Sequence, residues 1–335
     1  MRPLRPTAIF VAMAFSISMA RAAINDQCHE HCDCEDLSVT CKIGKLPIGT
    51  KEEGFGTYFD PDVTKMHIDN SESETSLNDK TRLEPLSSDM LTYEDLTNLT
   101  LKGCFIETIM DDAFQYIVAL KHLNLEGNMI TTLSAKTFFG LRQLQTLSLN
   151  YNKLATIPGG AFEPLISVVK LCLHGNLIDT IQPGAFPKNP LIESLDIGGN
   201  ENMRTIPASV DALKNLDYLI ARNCKISELR ENWKDKFPGI VKIDLTNNLI
   251  PELKPEHFSD LPELKQVSLR RSFRWYNEEV ALALRCMRIW SCFNEHGYPK
   301  NTRLALISHS SDWLTPITVF CVIGAPSLIS APLFL

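Results

Sequence analysis

The sequence predicts an α/β fold: a repeat solenoid with a parallel β-sheet and disulfide-containing caps at its ends. Three observations support this prediction. Apolar residues and asparagines recur at a 24-residue step through the centre of the chain. Within each repeat, leucines alternate with polar residues in the way that favours a short strand with one buried face. Cysteines cluster near residue 30 and recur near residue 290, beyond the two ends of the repeats.

Eight anchor positions define the repeat. Segments such as LKHLNLEGNMITTL, residues 120–133, fit the pattern L-x-x-L-x-L-x-x-N-x-L. Since no single repeat can bury its apolar face alone, a fixed step of this kind predicts neighbouring repeats stacked around one continuous core. The asparagine, or the residue that replaces it, recurs every 24 residues as Cys104, Asn128, Asn152, Asn176, Asn200, Cys224, Asn248 and Ser272.

Further apolar positions keep the same frame on the arm that returns from each strand, and these side chains are predicted to fill the same core. The repeat that begins at Asn200 slips by one residue, so that Met203 and Ile206 stand where positions 202 and 205 are expected. A phenylalanine follows most anchors after ten residues: Phe114, Phe138, Phe162, Phe186 and Phe258.

These features resemble the leucine-rich repeat family over residues 63–275, in about eight to nine units. The resemblance implies a curved horseshoe with the parallel β-sheet on its concave face. It also implies a protein that binds other molecules in adhesion, ligand recognition or innate immunity. The anchor asparagine carries both donors and acceptors, so it can satisfy backbone groups of adjacent turns that strand pairing leaves over. Cys104 and Cys224 replace it with a small, weakly donating thiol, and we interpret both as structural.

Residues 1–22 have the layout of a secretory signal peptide. Arg2 and Arg5 precede an apolar core, residues 8–20, and an Ala-Arg-Ala site predicts cleavage after Ala22. A membrane anchor is the alternative interpretation, but the core is too short to span a bilayer comfortably. Secretion would place the cysteines in an oxidising compartment, where disulfides form and persist.

The run QCHEHCDC, residues 27–34, raises the question of a metal site. A zinc site usually takes its ligands from two separated pairs, whereas four cysteines within fourteen residues of a secreted chain favour two disulfides. The spacing C-x3-C-x-C-x6-C resembles the amino-terminal cysteine cap of extracellular leucine-rich repeat proteins, here residues 23–62. That resemblance implies the pairs Cys28–Cys34 and Cys32–Cys41.

The other end of the repeats carries fewer cysteines. Residues 276–307 are predicted to form a carboxy-terminal cap with an amphipathic helix over residues 278–289 and a Cys286–Cys292 disulfide. The cap that is usual in the family has four cysteines, so this sequence departs from the pattern.

The hydrophobic tail, residues 308–335, contains no charge from Trp313 onward. One interpretation is a membrane-spanning helix, since the apolar stretch is long enough. The other is a glycosylphosphatidylinositol signal, with Ser308 or Ser310 as the attachment residue. Three prolines in the stretch, and the absence of a following lysine or arginine, favour the lipid anchor.

The side chains that alternate with the strand leucines vary in chemistry, which suits a recognition surface. Aromatic and basic residues gather toward the later repeats, although the chain as a whole has a net charge of −7. Tyrosine and arginine are the side chains that most often anchor interfaces. Such a face would dock an acidic partner, the alternative being ordinary solvated positions. The candidate ligand-binding residues are Tyr151, Tyr218, Arg222, Lys242, Asp244, Arg270 and Arg271.

Two single residues suggest modifications. Asn98 begins the only N-x-[ST] sequon of the chain and is predicted to carry a glycan. Cys172 has no cysteine at its position in either neighbouring repeat. It is therefore either a free thiol or an intermolecular link in a homodimer.

The sequence favours binding over catalysis. No G-x-S-x-G, H-E-x-x-H or phosphate-binding glycine loop is present, so no enzyme, cofactor or metal is predicted. The acidic balance argues against a binder of nucleic acid or of anionic membranes.

We therefore predict an extracellular protein that binds a protein ligand or receptor through its concave face. It would act as a cell-surface adhesion protein or recognition co-receptor, held at the membrane by the carboxy-terminal lipid anchor. The alternative is a soluble secreted protein that binds a matrix component or sequesters a ligand, including in innate immune recognition. Fold alone does not choose between these roles.

Overall fold

The computed structural model describes residues 32–35, 37–42, 62–69, 85–88, 91–186, 191–251, 257–258, 261–269 and 272. Within these ranges the chain forms one sheet of eleven strands and one of two. In spatial order the large sheet consists of β1 (Cys32–Glu35), β2 (Ser38–Lys42), β3 (Lys65–Asp69), β4 (Asn98–Lys102), β5 (His122–Asn124), β6 (Thr146–Ser148), β8 (Lys170–Cys172), β10 (Ser194–Asp196), β11 (Tyr218–Ile220), β12 (Lys242–Asp244) and β13 (Gln266–Ser268). The small sheet pairs β7 (Thr156–Ile157) with β9 (Thr180–Ile181).

The large sheet is parallel from β2 onward, which confirms the predicted solenoid. From β4 to β13 the register advances by one repeat per strand: Asn98 pairs with His122, and Ser194 with Tyr218. The central residue of each three-residue strand is buried, because side chains alternate between the two faces of a strand. Each turn of the chain therefore adds one strand to the sheet and one apolar layer to the core.

The buried anchor asparagines form a ladder that joins each repeat to the one before it. The side-chain amide of Asn152 donates to the carbonyl of Leu125 at 2.9 Å and to that of Leu149 at 3.0 Å. Its Oδ1 accepts the N–H of Ile130 at 3.0 Å. The predicted role of the anchor, to satisfy backbone groups of adjacent turns, is thus confirmed. The same pattern recurs at Asn128, Asn176, Asn200 and Asn248.

Cysteine thiols take the place of asparagine at two anchors. Cys104 donates to the carbonyl of Lys102 at 3.4 Å, and Cys224 to that of Ile197 at 3.5 Å. Burial raises the pKa of Cys104 to about 12 and that of Cys224 to about 11, so both thiols stay protonated donors at neutral pH. Their surroundings agree with a structural role.

The repeat with the slipped frame precedes one of these cysteines. Cys224 has no side-chain oxygen that could accept a turn N–H from the repeat before it. In that repeat the N–H of Met203 donates instead to the carbonyl of Asn200, at 3.0 Å within its own turn. Met203 is fully buried and Ile206 is 3 % exposed, as the slipped frame predicts. The one-residue slip therefore occurs in the repeat whose turn N–H finds no side-chain oxygen at the next anchor, Cys224.

The return arms consist mostly of turns, and their phenylalanines form a column inside the core. Stacked rings lie 6.1, 6.1 and 5.4 Å apart between centroids along Phe114, Phe138, Phe162 and Phe186. The helices within the described ranges are short: a 3₁₀ helix, Ala208–Ala212, and an α-helix, Trp233–Lys236. No helix in these ranges combines the length and hydrophobicity that crossing a membrane requires.

The amino-terminal cysteine segment joins the same sheet. β1 and β2 form an antiparallel hairpin with Cys32 opposite Cys41, and β2 continues as the parallel neighbour of β3. The Cys32–Cys41 disulfide is present, with the two Cα atoms 4.2 Å apart. Cys34 is also disulfide-bonded, whereas Cys28 lies outside the described residues. Because Val39 and Cys41 are buried, the hairpin extends the core at this end.

Several sequence predictions fall outside the described residues and stay predictions. They concern both termini of the chain and two of the candidate ligand-binding residues. These features are the signal peptide at 1–22, Arg270, Arg271, the cap at 276–307 with Cys286–Cys292, and the tail at 308–335 with Ser308 and Ser310.

Candidate ligand-binding face

The solvent-facing side chains of the large sheet lie in rows that cross the repeats. Strand register pairs Tyr218 with Lys242, and Ile220 with Asp244, across β11 and β12. Arg222 follows two residues after the end of β11. The structure therefore places four of the candidate residues, Tyr218, Arg222, Lys242 and Asp244, on two adjacent repeats.

The acidic side chains in these rows are bonded within the protein. Asp244 Oδ1 accepts the N–H of Thr246 at 3.0 Å, and Asp196 Oδ1 accepts the N–H of Gly198 at 2.9 Å. On an earlier repeat, the carboxylate of Glu126 lies 3.3 Å from the ammonium of a lysine on the neighbouring strand. Each of these carboxylates thus has a donor or a cation beside it.

Two basic side chains on the same face are unpaired. Among the residues that the structure describes, neither the Arg222 nor the Lys242 side chain has a hydrogen-bond or ion-pair partner. Tyr218, beside Lys242, is 43 % exposed. We call Tyr218, Arg222 and Lys242 the cationic patch. Because its two cations have no ion-pair partner among the described residues, this patch presents positively charged groups on an acidic protein.

Tyr151 lies in the turn that follows its strand and has an unusual backbone conformation. Its φ of 54° is left-handed, and glycine or asparagine occupies the equivalent turn position in the neighbouring repeats. The Tyr151 ring meets the His174 ring edge-on, with 5.3 Å between centroids. The ring is nevertheless 56 % exposed. A bulky residue at positive φ is uncommon and indicates strain.

Two glycines let neighbouring side chains lie close against the backbone. A Cβ atom at Gly175 would fall 2.6 Å from the Tyr151 ring. A Cβ atom at Gly198 would fall 3.0 Å from His174 Nδ1 and 3.1 Å from Arg222 Cγ. Tyr151, His174 and Arg222 therefore follow one another across four successive repeats, and we call these three residues the Tyr151 strip.

His174 is the member of the strip that sequence analysis did not select. Its Nδ1 lies 3.6 Å from Asp196 Oδ1 and is buried without a hydrogen-bond partner. No motif marks this histidine. One feature of the sequence could have pointed to His174. The Gly198-Gly199 pair lacks side chains at two positions where most other repeats have at least one, and so leaves room beside the histidine.

The two predicted modification sites have different surroundings. Cys172 is a free thiol that is 9 % exposed, and burial raises its pKa. A buried, protonated thiol forms disulfides poorly, so these surroundings do not favour the intermolecular link. Asn98 begins β4, and its Oδ1 accepts the Thr97 hydroxyl at 2.9 Å. Glycosylation there stays a prediction. Within the described ranges, no group of histidine, cysteine or acidic residues is arranged to hold a metal ion.

Comparisons with known proteins find the same repeat. The leucine rich repeat family model matches residues 94–154, 142–202 and 166–226. A solved structure described as the octameric complex of Latrophilin 3 (Lec, Olf), Unc5D (Ig, Ig2, TSP1) and FLRT2 (LRR) matches with a TM-score of 0.57 and 20 % identity, covering 75 % of this chain and 86 % of that one. An internalin (InlF) from Listeria monocytogenes str. 4b F2365 matches with a TM-score of 0.46 and 20 % identity, covering 60 % of this chain and 54 % of that one. A sequence search among curated proteins gives no match.

The residues that match the family model are the ones that form the regular part of the solenoid. The matched segments together span residues 94–226, where the parallel strands and the asparagine ladder are most regular. The similarity to the FLRT2 complex structure concerns the fold. The Cys32–Cys41 disulfide fits the amino-terminal cysteine cap. Residues 94–226 thus match the leucine-rich repeat family, and the described residues have the fold of a leucine-rich repeat solenoid.

Proposed function

We propose that this protein is an extracellular protein-binding protein that acts as a cell-surface adhesion or recognition co-receptor. Binding takes place on the concave face, and the partner presents an acidic surface. The observation that carries the proposal is the cationic patch, whose two basic side chains have no partner among the described residues, while the nearby carboxylates accept backbone N–H groups. The FLRT2 repeats, which share the fold, stand in a complex with two other proteins, and this agrees with a protein-binding role.

Physical complementarity argues for the acidic partner. Opposite charges across an interface steer association and exclude partners of like charge. An exposed tyrosine beside two unpaired cations also has the composition of a binding hot spot. Because Arg222 and Lys242 have no internal partner to lose among the described residues, a partner carboxylate can pair with them without breaking an existing bond.

The patch is tested by removing its two charges. The full chain is displayed on animal cells and challenged with an array of purified ectodomain–Fc fusions, first as wild type and then as Arg222→Ser/Lys242→Ser. We expect binding of at least one acidic ectodomain, and a loss of affinity of about tenfold or more in the double variant. We also expect wild-type binding to weaken as salt is raised, because exposed charges are screened.

The matched control removes the same amount of charge elsewhere. Arg142 and Lys234 are exposed and lie on return arms, away from the concave face. Arg142→Ser/Lys234→Ser is expected to bind as the wild type does. An equal loss in both double variants would show that only bulk charge matters, and an array without any hit would contradict the proposed role.

Attachment to the membrane is a separate prediction. We expect phosphatidylinositol-specific phospholipase C to release the protein from the surface of expressing cells into the medium, because the chain beyond an attachment serine, within the small residues Ser308, Ser310 and Ser311, is exchanged for a lipid. A Ser308→Trp/Ser310→Trp/Ser311→Trp variant lacks the small attachment residues and should not become a releasable surface protein. Surface protein that resists the enzyme would indicate a spanning helix. Untreated protein in the medium would support the soluble alternative.

A further inference from the structure

We propose that the Tyr151 strip is a preformed subsite for an aromatic side chain of the partner, carried on the same acidic segment that pairs with the cationic patch. This inference rests on the proposed function and adds to it the second chemical feature of the partner. It assigns a binding role to Tyr151 and His174, with Arg222 shared between the strip and the patch.

Tyr151 occupies a turn position that disfavours a bulky side chain. The equivalent position is left-handed in the neighbouring repeats, where the chain has Gly103, Gly127, Gly175, Gly199, Asn223 and Asn247. Glycine and asparagine tolerate this conformation, whereas tyrosine does not adopt it readily. The ring is 56 % exposed, so core burial does not offset the strain. Strained residues that their own packing does not explain are concentrated at functional sites.

The Tyr151 ring is already held in place before a partner binds. It lies over Gly175, which has no side chain and leaves room for it, and its neighbour His174 meets it edge-on. The backbone N–H of Tyr151 donates to the carbonyl of His174 at 2.7 Å. A side chain fixed before binding loses little conformational entropy when a partner arrives.

The chemical groups along the strip follow one another in an order that a partner segment can match. An exposed phenol ring is followed by an imidazole and then by the aliphatic stem and unpaired guanidinium of Arg222. Aromatic rings pair favourably with other rings, and guanidinium groups stack on them as well as binding carboxylates. The strip therefore fits a segment with an aromatic residue toward Tyr151 and an acidic residue toward Arg222.

Strand spacing gives the length of that segment. Tyr151 and Arg222 belong to repeats three strand spacings apart, which is roughly 14 Å at the usual interval between strands. An extended chain advances about 3.3 Å per residue. The aromatic and acidic residues of the partner would thus stand about four positions apart in one extended stretch.

The test uses two polymers as probes on the purified full chain: poly-glutamate and a random copolymer of glutamate and tyrosine of equal length. We expect the copolymer to bind about tenfold more tightly than poly-glutamate. Tyr151→Asn should abolish that difference without weakening poly-glutamate binding. Tyr151→Phe, which keeps the ring, should preserve the difference. The melting temperature of Tyr151→Asn should equal or exceed that of the wild type, because asparagine tolerates the turn.

The control is Tyr116→Asn, which makes the same change at a tyrosine that is 49 % exposed on a return arm. It should leave the binding of both probes unchanged. Equal binding of the two probes by the wild type would overturn the aromatic subsite and leave the cationic patch standing. Binding of neither probe would overturn both proposals. If Tyr151→Asn lowered the melting temperature and weakened both probes alike, the ring would be structural and the subsite would be rejected.

Discussion

Replacement of Asn152 by alanine is expected to lower the free energy of unfolding by about 3 to 5 kcal/mol, since the buried Ile130 N–H left unpaired costs about 1 to 3 kcal/mol and each of the two lost amide hydrogen bonds about 1 kcal/mol. The change removes the amide that donates to the carbonyls of Leu125 and Leu149. The two carbonyls that lose this amide keep the amides of Asn128 and Asn176 as donors. It also removes the oxygen that accepts the N–H of Ile130. Asn152 is 5 % exposed, so water does not readily take over these bonds. Urea unfolding followed by circular dichroism measures the loss.

Two other variants separate the ladder from the general effect of losing an asparagine. Asn152→Cys should cost less than Asn152→Ala, because Cys104 and Cys224 show that a thiol fits an anchor position and donates to a carbonyl there. Asn202→Ala removes an exposed asparagine with one long hydrogen bond, 3.4 Å to a carbonyl. It should change stability by no more than about 0.5 kcal/mol. Equal losses in Asn152→Ala and Asn202→Ala would contradict the ladder.

Truncation of Phe138 to alanine is the second change with a large expected effect, a loss of about 3 to 5 kcal/mol. The ring is fully buried and stacks between Phe114 and Phe162, with 6.1 Å to each ring centroid. Its removal takes away apolar surface that is buried on folding and leaves a cavity in a column that relaxes only partly. The same denaturation experiment measures this loss.

The adjacent residue provides the control. Phe139 has the same side chain but is 54 % exposed, so Phe139→Ala should change stability by no more than about 0.5 kcal/mol. The two substitutions remove identical atoms from consecutive positions, and only their direction relative to the core differs. Comparable losses in both variants would show that the phenylalanine column is not the stabilising element.

The repeat frame could be predicted because the same physical demands recur in every turn of the chain. Sequence position alone identifies Asn152 and Phe138 as core residues, and the structure buries both. Even the irregular repeat is readable, since the buried Met203 is displaced by one residue from the frame. Buried apolar positions recur at a fixed interval in the sequence, so this periodicity is sufficient to locate the core residues.

The candidate site could be predicted only in part. Alternation places Tyr218 and Lys242 on the solvent-facing side, but it does not indicate which charges are already bonded. That depends on local turns such as the Asp196 carboxylate accepting the Gly198 N–H. Contacts between repeats, such as the Tyr151 ring over a glycine of the next repeat, depend on backbone conformation and on space. The pattern of residues in the sequence does not directly give the backbone conformation or the space between repeats.

The ladder also has a direction, which bears on how the protein is made. The amide of Asn152 bonds carbonyls 27 and 3 residues earlier in the chain, and its oxygen accepts an N–H 22 residues earlier. A ribosome delivers repeats in the same order, so the backbone N–H that an anchor oxygen accepts stays unpaired until the next repeat emerges. The N–H groups of Leu125 and Gly127, which donate to carbonyls of the following repeat, wait in the same way. The Met203 N–H, bonded within its own turn, is the exception. A pause in translation after that turn would leave one backbone N–H fewer waiting for the next repeat than a pause after a regular repeat.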